Sequence, residues 1–581
     1  MSRAIERRIP LPFSIAILAL AVVGVFYNGL DNGFVWDDQV QIVDNPWIKD
    51  VAYLDDLFSA DVFRHYQTVE TTNYYRPVAH VVYMATWQLF GSSARAFHAV
   101  NLLLHLAVTV MVLLIAQRLL AAPSVPGEEG RRGEGASGQR DAPMGWAALL
   151  AALLFAVHPI HTEAVDWISG IMEPLYTLFG LLSFYFFLDL VQRRSRASLL
   201  LSALLFLLAL FSKETAVLLL PLFFFWDLSQ AKELSIRKIR YGDYLPYVLV
   251  VAFYLAMRTH ALDRFIPLDM HPDLTTYDCV INIFPLFVQH LWKLVWPVDL
   301  NVFHVFRPVR SILEPRALLG LIVSVGYLVS LYWWWKRDRL VCFSLLLILL
   351  PLLPFFYIRG IAPVLFAEQH LYLPSLGFVL LLARLALWVD SGDRNLRYGL
   401  WVSCLVVICL FYVATVRRNP VWKDNLTLWS DAVSKSPDSG FVHESLAGAL
   451  LARGRIDEAI QHYELTLKND PSPSARVYNN IGIAYSERGW TDRAIEAFTR
   501  SLQIRPDYAR AHLGLGIAFY QKGWTEKAID ELRLAIIYDP YLADAHHNLG
   551  VAYIKLGNRS KAEKAMGQAS KLDPEYYKRP R

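Results

Sequence analysis

Apolar residues in this chain come in long, nearly uninterrupted runs up to about residue 417 and in a short helical rhythm thereafter. About 20 consecutive apolar residues cross the hydrocarbon of a bilayer as a helix. Segments 11–30, 96–119, 145–157, 172–191, 197–212, 215–228, 244–261, 316–335, 340–358, 372–390 and 397–416 read as membrane helices on this basis. Basic residues gather between them as Arg3/Arg7/Arg8, Arg131/Arg132/Arg140, Arg193/Arg194/Arg196, Lys232/Arg237/Lys238/Arg240, Lys336/Arg337/Arg339 and Arg394/Arg397. Lys and Arg accumulate on the cytoplasmic side of a membrane. Placing every cluster there gives about eleven crossings, a cytoplasmic N-terminus and an extracytoplasmic C-terminal region, periplasmic or in the lumen of the endoplasmic reticulum. The apolar stretch 277–297 would invert all that follows if it crossed alone, so it is expected to be re-entrant or interfacial. The first span reads as an uncleaved signal-anchor.

Past residue 417 a 34-residue period replaces the long runs. Gly482, Gly516 and Gly550 recur in register, as do Ala494, Ala528 and Ala562, and Pro506, Pro540 and Pro574. This is the tetratricopeptide period of two antiparallel helices per unit. Residues 440–473 form a degenerate first unit, with Ala447, Ala459 and Pro471 offset by one residue. The expected fold is all-α, a polytopic membrane domain over 1–417 followed by a soluble tetratricopeptide solenoid. A first outer loop spans 31–95, an unstructured cytoplasmic loop 121–144, a junction half-repeat 418–439, and about four repeats 440–576. Repeat arrays bind extended segments of other proteins on a concave face.

Composition narrows the class. Of 581 residues, 55% are hydrophobic, too many for a soluble enzyme of this size, and the net charge of +4 gives no reason to expect a nucleic-acid partner. Cys279, Cys342, Cys404 and Cys409 all sit in apolar segments without metal-ligand spacing.

The polar exceptions carry the chemistry. Asp37-Asp38, Tyr75-Arg76-Pro77, His158-Pro159-Ile160-His161-Thr162-Glu163, Ser212-Lys213-Glu214 and Glu368-Gln369-His370 each lie within a few residues of a span end, all on the side opposite the basic clusters. Ionisable groups at such depth are paired or functional. Together they are expected to line one outward cavity. Each also has a plainer reading: a helix cap or a structural cation at Asp37-Asp38, a snorkelling Arg76, a mutual Lys213–Glu214 ion pair, or a metal at His158 and His161, with Glu163 near and Asp38 a possible further ligand, although His-Pro breaks the helix a paired-histidine site would use.

These motifs, with Asn45-Pro46, His98, Asn101-Leu102-Leu103-Leu104-His105 and Leu371-Tyr372-Leu373-Pro374-Ser375, occur in the order found in a known family. The chain resembles the transmembrane-and-tetratricopeptide-repeat proteins of the GT-C glycosyltransferase superfamily. The resemblance implies transfer of a sugar, typically mannose, from a polyprenyl phosphate to a Ser or Thr hydroxyl of an acceptor protein, with inversion. It makes Asp37 the general base beside Asp38. Arg76, Lys213 and His370 become candidates for the donor phosphate, and His158, His161, Glu163, Glu214 and Glu368 become supporting groups. A divalent metal stays open. Two departures stand out: Gly170-Ile171-Met172-Glu173 and Ala367-Glu368-Gln369-His370 each lack an arginine usual in the family. The competing readings are a lipid-linked oligosaccharide ligase or polymerase and a non-catalytic membrane scaffold.

Overall fold

A computed structural model describes residues 10–60, 74–121, 137–230, 240–265, 269, 271, 273–360, 365–390, 394–470 and 473–573. Arg3, Arg7, Arg8, Arg131, Arg132, Lys232, Arg237, Lys238, Pro471 and Pro574 lie outside them. The chain divides into two compact units, Met1–Leu428 and Trp429–Arg581.

The first unit is helical. Its α-helices are α1 (Leu11–Phe26), α2 (Leu54–Ser59), α3 (Pro77–Phe90), α4 (Ala94–Ala121), α5 (Ser137–Ala156), α6 (Thr162–Asp166), α7 (Met172–Arg193), α8 (Arg196–Ser212), α9 (Leu219–Gln230), α10 (Leu245–Leu262), α11 (Thr276–Val295), α12 (Pro315–Trp335), α13 (Arg339–Leu349), α14 (Pro374–Asp390), α15 (Arg394–Arg418) and the start of α16 (Asn425–Lys435). Local signals fix many ends. Pro77 and Pro315 open α3 and α12, where a missing backbone N–H is harmless. The Ser195 side chain caps α8, and Asp338 caps α13 by accepting from Leu340 and Val341.

Each of the eleven expected segments contains a helix. Among the described residues, seven helices are long and apolar enough to cross a membrane. There are eight if Met144–Ala156 and Pro159–Asp166, bent by 48°, form one span. Arg196–Ser212 and Pro374–Val389 are shorter apolar helices. Segment 215–228 becomes a 3-10 turn followed by the twelve residues of α9. The stretch 277–297 is a single helix with Pro285 inside and a Thr275–Asp278 capping box. Of the expected unstructured loop 121–144, residues 122–136 lie outside the described residues, and α5 begins at Ser137.

Lipid adds no hydrophobic drive between helices, so close packing and hydrogen bonds hold such a bundle together. Phe184 of α7 stacks on Phe223 and Phe343 at 5.3 and 5.5 Å between ring centres. Ser183, Ser202 and Tyr247 tie α7, α8 and α10 through bonds of 2.6 to 3.1 Å. Outer helices keep lipid-facing side chains exposed, as at Leu20, Ile322 and Leu405.

Among the described residues the second unit holds four helix pairs: α17 (Gly440–Ala452) with α18 (Ile456–Asn469), α19 (Ala475–Glu487) with α20 (Thr491–Ile504), α21 (Ala509–Gln521) with α22 (Thr525–Tyr538), and α23 (Ala543–Lys555) with α24 (Arg559–Leu572). The recurring small residue has a steric cause: a Cβ at Gly482 would lie 2.6 Å from the Phe498 ring of the facing helix. Seven residues later the chain turns at Gly489, with φ +80°, a left-handed position that suits glycine. Gly454 occupies the same turn in the first pair, seven residues after Ala447, so the one-residue offset is real.

Candidate active site

Helix ends that are distant in sequence meet around one cavity of about 360 Å³ in the membrane unit. Asp37 follows α1, Arg76 precedes α3, Glu163 sits in α6, Glu173 opens α7, Lys213 and Glu214 follow α8, and Gln369 and His370 precede α14. All of them line the wall. Helices α7 and α8 touch the cavity at Glu173 and Lys213, while Arg193, Arg194 and Arg196 mark their opposite ends.

The two adjacent acids have different surroundings. Asp38 is fully buried and absent from the wall. Its Oδ2 accepts from the Val35 N–H at 2.9 Å, and its Oδ1 accepts from the Ser169 N–H at 2.8 Å and the Ser169 hydroxyl at 2.6 Å. Burial pushes its carboxyl up to about 7 against those three donors. Asp37 is half-buried and faces the cavity, and among the described residues its carboxylate makes no hydrogen bond. Burial pushes it up to about 6. Of the two acids, Asp37 therefore stands in the wall and Asp38 anchors the loop.

The cations are all engaged. Lys213 and Glu214 do not pair with each other. The Lys213 ammonium donates to Glu173, both being buried. Arg76 grips Glu214 with two bonds, Nε at 3.1 Å and Nη2 at 2.8 Å, and lies 4.3 Å from the centre of the Tyr74 ring. Burial would raise the Glu214 carboxyl, yet the Arg76 guanidinium holds it down to about 2. His370 stacks on Phe355 at 3.6 Å. Burial, and then the Lys213 charge, hold its imidazole well below the ordinary histidine range. His370 thus lines the wall as a ring stacked on Phe355.

The supporting residues divide. Glu163 lines the cavity and accepts from the Gln369 N–H at 3.0 Å. Glu368 faces elsewhere, bonded to the Asn301 N–H at 2.9 Å and to His304 Nε2 at 2.6 Å. His158 and His161 are buried outside the wall. His158 Nε2 donates to the Leu294 carbonyl at 3.1 Å while its Nδ1 accepts from the Ile160 N–H. His161 Nε2 meets the Ser375 hydroxyl at 2.9 Å, its ring against Phe155 and Tyr372. Asp38, His158 and His161, the residues of the metal alternative, are each bonded to a different protein group. Among the described residues no group of three or more His, Cys, Asp or Glu side chains could hold a metal ion.

Sequence comparison adds the relatives. Family models described as "TPR repeat" match residues 484–523 and 518–557, and models described as "Tetratricopeptide repeat" match 426–473 and 543–576. Protein O-mannosyl-transferase F38B6.6 of Caenorhabditis elegans is 26% identical over 466 residues, covering 78% of this chain and 62% of its own. Human protein O-mannosyl-transferase TMTC1 is 27% identical over 80% of this chain and 56% of its own, and human TMTC3 is 22% identical over 85% and 55%. The chain is similar to the TMTC protein O-mannosyl-transferases. It spans about three-fifths of the length of these curated relatives.

The two TMTC-like motifs that lack arginine now have locations. Ile171 is buried in an apolar cluster with Ile168 and Leu175, and Gln369 lies in the cavity wall. Sequence reasoning did not select Trp36, Tyr74, Trp167, Glu173 or Arg258, all of which line the cavity. Glu173 was visible as the acid ending the altered Gly170 motif. Trp167 stacks on Trp36 at 5.0 Å, a pairing no local pattern announces.

Proposed function

We propose that this chain is a multi-pass membrane glycosyltransferase that moves a sugar, mannose by the names of its relatives, from a polyprenyl phosphate to Ser or Thr hydroxyls of proteins on the non-cytoplasmic side. The observation that carries this reading is Asp37: a carboxylate without a hydrogen-bond partner among the described residues, facing one cavity with Arg76 and Lys213. Asp37 takes the proton of the acceptor hydroxyl as its oxygen bonds to the anomeric carbon. The bond from that carbon to the lipid-phosphate oxygen breaks, and the electron pair leaves on the phosphate. Attack opposite the leaving group inverts the sugar carbon.

A general base is most effective with a pKa near the working pH, and burial raises Asp37 toward it. Arg76 and Lys213 keep N–H donors beyond those bound to Glu214 and Glu173, so they can meet the phosphate while their carboxylate partners fix their position. A cavity of about 360 Å³ sits at the small end of ligand sites, which run from about 300 to 1,000 Å³. That size favours a single sugar phosphate over a whole lipid-linked glycan. The arginine-bearing far ends of α7 and α8 support an outward-facing cavity. The repeats supply the acceptor-binding surface. The test is transfer from radiolabelled polyprenyl-phosphate mannose to a Ser/Thr peptide. Asp37→Asn is expected to lower the rate by about 10²–10⁴, and a fully active variant would overturn the assignment.

A further inference from the structure

The Asp37 carboxylate has no hydrogen bond of its own among the described residues, and the backbone on either side sets the direction in which its Cα–Cβ bond leaves the chain. On one side Asp38 is clamped to Ser169. On the other side Trp36 adopts φ +53°, a left-handed conformation rare for a bulky residue. Its N–H donates to the Asn425 side-chain oxygen at 2.8 Å, almost four hundred positions along the chain. That contact ends a seam between residues 25–36 and 416–425. The Asn28 amide donates to the Val416 carbonyl, Asn419 to the Val25 carbonyl and to Asn28, Asn32 to the Asn419 carbonyl, and the Gly33 N–H to the Lys423 carbonyl, at 2.7 to 3.1 Å. Beside the seam Trp36, Trp167 and Trp422 form a parallel stack with centres 5.0 and 6.2 Å apart.

We infer that Asn425 is a positioning residue for the reaction: its amide oxygen holds Trp36 in the left-handed turn that directs the Asp37 carboxylate into the cavity. The inference rests on the reading of Asp37 as the base. Asn425 touches no reacting atom, so its loss acts on turnover more than on donor binding.

The experiment compares full-length Asn425→Ala and Asn425→Asp with the parent chain. Asn425→Ala is expected to lower kcat at least tenfold while the donor KM stays within twofold. Asn425→Asp keeps an oxygen acceptor and is expected to restore kcat to within threefold of the parent at pH 8. The added negative charge near Asp37 moves the acidic limb of its pH profile upward. A second readout needs no turnover: in an Asp37→Cys background, Asn425→Ala is expected to change the rate of thiol labelling by a water-soluble maleimide at least threefold. A parent-like kcat in Asn425→Ala, equal damage from Ala and Asp, or an unchanged labelling rate each overturns the inference. Full activity in Asp37→Asn instead overturns the base assignment, and the labelling result still decides whether Asn425 sets the direction of position 37.

Discussion

The Lys213 ammonium is bonded to Glu173, forty residues earlier in the chain, and not to Glu214 beside it. Both members are buried, so the pair takes two charges out of solvent together. Removing one member of a buried pair leaves the other uncompensated, at about 3–5 kcal/mol, whereas replacing both with apolar groups can be neutral. Lys213→Met is therefore expected to lower the thermal midpoint in detergent sharply. Lys213→Met combined with Glu173→Leu is expected to recover most of that midpoint without recovering transfer. Recovery of transfer in the double variant would remove Lys213 from the phosphate site.

Arg76 presents a two-pronged grip to Glu214, a geometry lysine cannot copy. Arg76→Lys keeps the charge and is expected to reduce kcat/KM for the lipid donor at least tenfold. A donor titration checks this, and an unchanged KM with unchanged kcat would make Arg76 a structural residue only.

The Asp37 carboxyl, raised to about 6, is neutral below that pH and charged above it. A base acts in its charged form, so kcat/KM is expected to fall about tenfold per pH unit below 6 and to level off above it. Stability moves the opposite way. A carboxyl raised in the folded state opposes folding once it is charged, and this penalty is absent below the unfolded value of 3.8. Asp37→Asn is expected to raise stability at pH 8 by roughly 1–2 kcal/mol, allowing for the partial solvent exposure of the group, and to leave it unchanged near pH 4. Thermal melts at the two pH values test the sign.

In the repeat unit, Gly482→Val would drive a side chain into the Phe498 ring. Overpacking of this kind costs about 1–3 kcal/mol. Limited proteolysis of the full chain is expected to cut residues 429–581 faster in this variant, with the membrane unit unaffected.

The sequence made the helices legible because transfer of apolar segments out of water and the 3.6-residue period are local properties. The repeat offset at Ala447 and Ala459 was readable for the same reason, whereas the left-handed turn at Gly454 came from the structure. The sequence also placed acids, histidines and cations at helix ends, and the cavity gathers Asp37, Arg76, Glu163, Lys213, Glu214 and His370 from those ends. Arg258, with no motif around it, carried no such signal.

Sequence alone therefore determined an all-helical chain with apolar spans and a solenoid, and which polar groups sit at the span ends. Tertiary structure decided which of them act together. It put Asp37 in the wall and Asp38 against Ser169, gave Lys213 to Glu173 and Arg76 to Glu214, turned His158 and His161 into the bundle, and brought Asn425 to Trp36. Hydropathy fixes where a residue lies along a helix. The direction in which its side chain points, and the partner it meets there, depend on how distant helices pack.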